Sequence, residues 1–220
     1  MIAESNTSLS RCVLIPAAGF GNRVLHGGSK ELLPRPLTSK PLIDQAIADA
    51  LSSGAKPHVI LRSEKTELIS YLLKFAPEVS IQEITKSRDW PETILFSSAH
   101  WLDYNLIYLP DLEFRPRAAV LQIFHLLEHQ GCDVVIAGRQ KIEPSQWGVF
   151  DRFTKSNKIR FCEKPQGLKS AWAWGLIGFR SDVGVSLLTE LLTSSHDHKW
   201  RELSLNATYI ELDELNDLTR

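Results

Sequence analysis

The sequence predicts an α/β protein, a three-layer α/β/α sandwich around a mostly parallel, mixed central sheet. Three observations predict it. Near-continuous apolar runs alternate with segments of helical period through the first part of the chain, as strands covered by helices on both sides require. The first apolar run turns abruptly into a glycine-bearing loop, the place where open α/β sheets collect ligands. The later part changes to apolar runs joined by polar turns, which adds an antiparallel or mixed element beside the main sheet.

The elements follow in order. Residues 12–16 (CVLIP) read as a buried strand. Leu42, Ile43, Ala46, Ile47, Ala50 and Leu51 have helical spacing, with Pro41 tolerated in a first turn and Gly54 as terminator. HVILR at 58–62 is the second strand, 65–74 a helix and VSIQEI at 79–84 the third strand. A short helix over 92–99 leads to the apolar run NLIYLP at 105–110. Residues 117–130 are helical, with Val120, Phe124 and Leu127 on one face, and feed DVVIAG at 133–138. Segments 147–153, 158–163 and 172–180 read as strands. A helix at 183–194 and a strand at 208–212 follow.

Composition narrows the function. The chain has 220 residues, 43% of them hydrophobic, enough for one sizeable core. Its 25 basic and 26 acidic side chains give a net charge of -1, which argues against nucleic acid as a partner, since binding it usually leaves a basic stripe. Cys12, Cys132 and Cys162 are an odd set without CxxC spacing, so reduced, buried thiols in a cytoplasmic protein are expected. No run nears the roughly 20 apolar residues of a membrane span, so no membrane partner is expected. The opening MIAESNTSLS resembles a loose tail more than a signal peptide. A homo-oligomer stays open.

The chemistry gathers at four places. In LIPAAGFGNR, the small residues Ala17, Ala18, Gly19 and Gly21 let backbone N–H groups approach an anion. Arg23 adds a planar charged fork suited to phosphate oxygens, and Lys30 a point charge. A polyphosphate is the expected guest. Asp111 follows the strand YNLIYLP, where a hard carboxylate can hold Mg²⁺; Glu113 is a weaker helper. Asp213, after TYIEL, is the second carboxylate, with Asp217 in reserve. In FCEKP, Glu163 can accept hydrogen bonds from substrate hydroxyls and Lys164 can grip a phosphate. WGVF and WAWG add Gly148 and the aromatics Trp147, Trp172 and Trp174, whose roles stay open. No Ser-His-Asp or Cys-His arrangement is evident.

In this order LIPAAGFGNR, SKELLPRPLTSKPLI, LPD, WGVF, EKP and Asp213 resemble the nucleotidyltransferase family with the nucleotide-diphospho-sugar transferase fold, which is GT-A-like and Rossmann-like. The branch most similar is the sugar-1-phosphate nucleotidylyltransferases, with phosphocholine and polyol-phosphate cytidylyltransferases as relatives. The resemblance spans roughly 11–218. It implies one nucleotidyltransferase domain over 1–220, with a nucleotide-binding part at about 11–140 and an acceptor-binding part at about 141–218. It also implies that Ala17, Gly19, Gly21 and Arg23 embrace the phosphates of a nucleoside triphosphate, with Ala18 in the same loop. Lys30 would neutralise charge around the α-phosphate and pyrophosphate. Asp111 and Asp213 would hold Mg²⁺. Gly148, Glu163 and Lys164 would line the site of a phosphorylated small-molecule acceptor. Arg23, Lys30 and Lys164 form the expected catalytic set.

Two segments depart from the family pattern. Its members commonly carry a glycine-rich segment before the metal Asp, where this chain has SRDWPETILFSS, with Trp90, Pro91, Glu92 and Thr93 in its neighbourhood. The usual DxG near the end is Asp213-Glu214-Leu215. These departures motivate an alternative, a catalytically silent nucleotide- or sugar-phosphate-binding protein of the same fold. A glycosyltransferase fits less well, because Asp111-Leu112-Glu113 only loosely replaces DxD. The chain also has no room after Asp213 for the C-terminal domain of larger relatives, so a minimal member is expected.

Overall fold

The structure, a computed structural model, describes residues 10–19, 29–35, 38–110, 117–145, 147–153, 158–197 and 200–212. Strands β1 (Arg11–Ala17), β2 (Lys56–Arg62), β3 (Ser80–Ile84) and β4 (Tyr104–Tyr108) form a parallel block in the spatial order β3-β2-β1-β4. Val13, Leu14 and Ile15 of β1, and Val59, Ile60 and Leu61 of β2, are completely buried. That burial on both faces explains why these runs are apolar without alternation.

Beyond the block, β8 (Ser170–Arg180) pairs antiparallel with β4, and β5 (Val134–Ile142) pairs antiparallel with β8. β10 (Ala207–Glu211) lies parallel to β5. The path β3-β2-β1-β4-β8-β5-β10 thus contains a single reversed strand, β8, and the expected mostly parallel, mixed sheet is what forms. β6 (Gly148–Phe153) and β7 (Lys158–Glu163) form an antiparallel pair that joins the first half of β8. β9 (Arg201–Glu202) adds to β7.

Helices cover both faces. α1 (Leu42–Ser52), α2 (Thr66–Phe75) and α4 (Arg117–His129) bury Ile43, Leu68, Leu72 and Phe124 against one face of the sheet. α3 (Trp90–Leu95) and α5 (Ser181–Asp197) bury Ile94, Leu187 and Leu191 against the other. Three layers result.

The differences from the sequence reading have local causes. α3 starts at Trp90, not 92, because Asp89 caps it by accepting from the Glu92 N–H at 3.1 Å, with Pro91 in the first turn. The expected helix over 92–99 therefore ends at Leu95, and a separate 3-10 turn follows at Ser98–His100. β5 continues past residue 138 to Ile142, paired with β8 although its end is exposed. α5 runs longer than expected, from Ser181 to Asp197. β9, two residues long, was not expected. All three cysteines are free; Cys12 and Cys162 are buried and Cys132 is only half-buried. Burial pushes the Cys12 thiol up to about 12, which keeps it protonated and unreactive.

One irregularity shapes the site. Between β5 and β8 the register shifts, so that Ala137 faces Leu176 but Gly138 faces Trp174, and Gly175 is the extra residue of a β-bulge. Along β8, Leu176 packs into the core cluster of α1 and α4, while Ile177 and Phe179 pack into that of α3 and α5. Strict alternation would send Trp174 with Leu176. The bulge sends it instead to the face of Ile177, where it meets α3.

Candidate active site

The strand register gathers the expected residues at one end of the sheet. Leu14 lies opposite Ile107 and Ala17 opposite Leu61. Counting on from Leu14 and Ile107, Ala17 stands level with Pro110. The loop beginning Ala17-Ala18-Gly19 therefore leaves β1 directly beside the chain that leads from β4 to Asp111. Ala17 and Ala18 are buried, Gly19 is exposed, and a Cβ on Gly19 would meet nothing within 4 Å. At Gly19, the last described residue of this stretch, the backbone is therefore unobstructed, as close approach of an anion needs. Gly21 and Arg23 lie outside the described residues.

β4 and β6 share one edge of β8. Tyr108 faces Leu176, and the Leu109 N–H reaches the Gly175 carbonyl at 3.4 Å. β6 then takes over, with Val149 opposite Ala173. At Gly175 the neighbouring strand changes, so Gly148 starts near the point where the chain leaves β4 for Asp111. Gly148 is paired with Glu163 across the β6–β7 ladder. A Cβ on Gly148 would collide with Trp174 Nε1 and would stand 2.6 Å from Glu163 Oε2. Trp174 and Glu163 thus close directly over Gly148, an approach that the absence of a Cβ permits.

Glu163 is buried at the end of β7, whereas Lys164 is exposed. Lys164 has φ +49, in the left-handed region that non-glycine residues rarely adopt, and its N–H donates to the Trp147 carbonyl at 2.9 Å. The kink before Pro165 turns the lysine out of the ladder. Trp147 is half-buried, with Lys141 Nζ 4.7 Å from its ring centre; Trp172 packs on Phe150 at the strand margin.

On the other side of β1, Lys30 opens a 3-10 turn, Lys30–Leu32. Its neighbour Glu31 is completely buried and accepts from Lys65 Nζ at 2.7 Å. Lys65 stands at the N-terminal boundary of α2, just beyond the end of β2, and its side chain makes no capping bond to the helix. Burial pushes the Lys65 ammonium below its ordinary value, Glu31 pulls it back up, and the charges of Lys30 and Arg62 push it down again. Arg62 Nη2 donates to the Ser87 carbonyl at 3.3 Å. Three cations and one carboxylate therefore stand together at the end of β1 and β2. Glu31, Arg62 and Lys65 had escaped sequence reasoning, since nothing in their local pattern marks them as partners.

The segment that replaces the glycine-rich stretch is rigidly tied. Besides the Asp89 cap, Glu92 Oε2 accepts from the Arg88 N–H at 2.6 Å, and Thr93 Oγ1 hydrogen-bonds Ser87 Oγ at 2.7 Å. This resembles a capping box. It places Trp90 against Trp174, with ring centres 4.6 Å apart and planes at 50°.

The proposed metal ligands Asp111 and Asp213 lie outside the described residues, as do Glu113 and Asp217. Their stems are described. Tyr108, Leu176, Ala137 and Ile210 form one row across β4, β8, β5 and β10, so both chains leave the sheet at the same end. Three strand spacings, roughly 14 Å, separate the stems. Among the described residues, no group of three or more His, Cys, Asp or Glu could hold a metal ion.

The reversed strand β8 within a parallel sheet, and a short antiparallel branch at the bulge, decide the comparison. This is the nucleotide-diphospho-sugar transferase fold. A structure from Bacillus anthracis described as a glucose-1-phosphate thymidylyltransferase, in complex with sucrose, matches with a TM-score of 0.70 and 19% identity. The match covers 93% of this chain and 87% of that one. A UDP-glucose pyrophosphorylase complexed with UDP-glucose matches with a TM-score of 0.67 and 19% identity, covering 92% and 90%. No family model matches the sequence, and no curated protein matches it. Among the described residues no helix is long and apolar enough to cross a membrane.

Proposed function

We propose that this protein is a nucleotidylyltransferase that moves a nucleoside monophosphate from a nucleoside triphosphate to a phosphorylated small molecule. A sugar 1-phosphate is the acceptor that best suits the site. The observation that supports this reading is the change of neighbour along β8 at Gly175. It joins the stem of Asp111 to Gly148 and Glu163 at the sheet end that carries the Ala17–Gly19 loop.

In this reading the chain is one nucleotidyltransferase domain, with a nucleotide-binding part at about 11–140 and an acceptor-binding part at about 141–218. The loop from Ala17 to Arg23 cradles the triphosphate through backbone N–H groups, and Arg23 grips its oxygens. Lys164 holds the acceptor phosphate, while Glu163, next to Gly148, accepts from acceptor hydroxyls. An oxygen of the acceptor phosphate forms the new bond to the α-phosphorus. The bond from the α-phosphorus to the bridging oxygen breaks, and its electron pair leaves with pyrophosphate. The attacking phosphate is already an anion, so no general base is needed. The protein's task is to hold two anions together and stabilise added negative charge, for which Lys30, Arg23 and Lys164 are suited. Two carboxylates suit a hard cation, and Mg²⁺ held by Asp111 and Asp213 would neutralise the triphosphate oxygens. Three free thiols fit a reducing, cytoplasmic setting.

The test is a matrix of CTP, UTP, dTTP, ATP and GTP against phosphorylated acceptors with Mg²⁺, read by pyrophosphate release. Release that depends on both substrates supports the transfer. Binding of both without release favours the silent binding protein instead.

A further inference from the structure

Two buried donors at the acceptor end have no hydrogen-bond partner. Trp174 Nε1 and Trp90 Nε1 are both sealed from solvent and unbonded. Buried indole N–H groups ordinarily find an acceptor, and each one left without costs about 1–3 kcal/mol. Two such groups in touching rings are therefore unlike ordinary core packing. Trp101, by contrast, donates to Ser97 Oγ at 3.3 Å.

Their position gives them a use. Trp174 is only 3% exposed, and its nitrogen stands over Gly148 together with Glu163 Oε2. From α3, on the nucleotide-binding side of the chain, the Trp90 ring packs against the Trp174 ring with centres 4.6 Å apart. An N–H donor and a carboxylate thus border one spot, and a second unbonded indole N–H belongs to the ring packed against that donor's ring, a combination that matches hydroxyl groups, which both accept and donate. A quaternary ammonium would use the ring faces and leave both N–H groups unbonded.

We propose that Trp90 and Trp174 select the acceptor, donating their indole N–H groups to hydroxyl oxygens of a sugar or polyol phosphate. This rests on reading the Gly148–Glu163–Lys164 end as the acceptor site. Both nitrogens are shielded, so the ring pair turns when the ligand enters. Neither ring gives up a hydrogen bond in doing so. The large residue in place of the glycine-rich segment then has a purpose, because it lets the nucleotide half contribute to reading the acceptor.

The experiment is calorimetric titration of the full chain with glucose 1-phosphate, glycerol 3-phosphate and phosphocholine, and separately with the five nucleoside triphosphates. The wild type is compared with Trp174→Phe, Trp90→Phe and the control Trp101→Phe. We expect a hydroxylated phosphate to bind the wild type more tightly than phosphocholine does. Its affinity falls ~10-fold in Trp174→Phe and Trp90→Phe, the size of one lost neutral hydrogen bond, and is unchanged in Trp101→Phe. If Trp174→Phe does not fold, Trp90→Phe at its half-buried position carries the test. Equal affinity in the Trp90 and Trp174 variants, tighter binding of phosphocholine, or no binding of either hydroxylated phosphate overturns the proposal. Failure to bind any nucleoside triphosphate overturns the transfer reaction instead, and leaves the tryptophan result standing on its own.

Discussion

Lys65 Nζ donates to Glu31 Oε2 across 2.7 Å, and this buried ion pair ties the turn that carries Lys30 to the start of α2. The side chains are 8% and 0% exposed. Such a pair is costly to form and costlier to break, because removing one partner strands a charge in the interior. Lys65→Met should therefore lower unfolding stability by about 3–5 kcal/mol. Adding Glu31→Leu to it should restore most of that loss. Urea denaturation of the two variants checks both statements, and a single variant as stable as the double would contradict the stranded-charge argument. If the pair also positions Lys30, the double variant stays folded while its turnover drops.

Lys30 itself has the charge suited to the α-phosphate and the departing pyrophosphate. Lys30→Ala should reduce turnover by at least ~10²-fold, the loss typical of one contact to charge that develops in the transition state. The fold should survive, because Lys30 is half-buried on a three-residue turn and outside both core clusters. Pyrophosphate release under saturating substrates, with circular dichroism as the fold control, measures this. Near-normal turnover in a folded variant removes Lys30 from the mechanism.

The glycines make a graded test. A Cβ on Gly138 would collide with the backbone oxygen of Ala173 and reach 2.7 Å from Phe150, and a ladder carbonyl cannot step aside. On Gly148 the obstacles are the side chains of Trp174 and Glu163, which can shift. Gly19 has open space. Melting temperatures should therefore fall in the order Gly19→Ala, Gly148→Ala, Gly138→Ala. Overpacking of this kind typically costs 1–3 kcal/mol. Gly148→Ala should in addition weaken acceptor binding, whereas Gly19→Ala should weaken only the nucleotide. A Gly148→Ala protein with wild-type acceptor affinity would remove that glycine from the site.

The elements legible in the sequence were those whose burial is uniform. Leu14 and Ile60 sit in strands buried on both faces, and Ile43, Ala46, Ile47 and Ala50 repeat at helical spacing toward the core. The placement of Gly148 and of Glu163 at strand ends could be read too, since each stands where an apolar run starts or stops. The ion pair of Glu31 and Lys65 could not be read, because it joins two short polar turns that only the tertiary fold brings together. The inward turn of Trp174 depends on a one-residue bulge at Gly175 that alternation does not reveal. Asp89 and Pro91 did carry the signal for the start of α3, an N-cap followed by a first-turn proline. β9 is too short to show a period.

His58 supplies the pH dependence of stability. It is buried in β2, with Nε2 3.2 Å from Gln82 Oε1 and Nδ1 3.0 Å from Ser80 Oγ. Gln82 Nε2 donates to the Phe96 carbonyl at 2.8 Å, which turns its Oε1 toward His58 and calls for a proton on Nε2. Nδ1 then accepts from Ser80, and the ring is neutral. Burial pushes the imidazole below its ordinary value, Gln82 opposes this, and His100, stacked at 4.4 Å, adds to the lowering. The unfolded chain consequently binds the proton more readily than the folded one. Well above about pH 6.5 neither state is charged and His58 contributes no slope. As pH falls from there through the lowered folded value, stability is lost. A His58→Gln variant should lack this part of the acid slope while keeping whatever the carboxylates contribute. Urea unfolding of both proteins between about pH 7.5 and 5 measures the difference. Parallel curves would show that His58 takes up its proton equally in both states, which its enclosure by Ser80, Gln82 and His100 forbids.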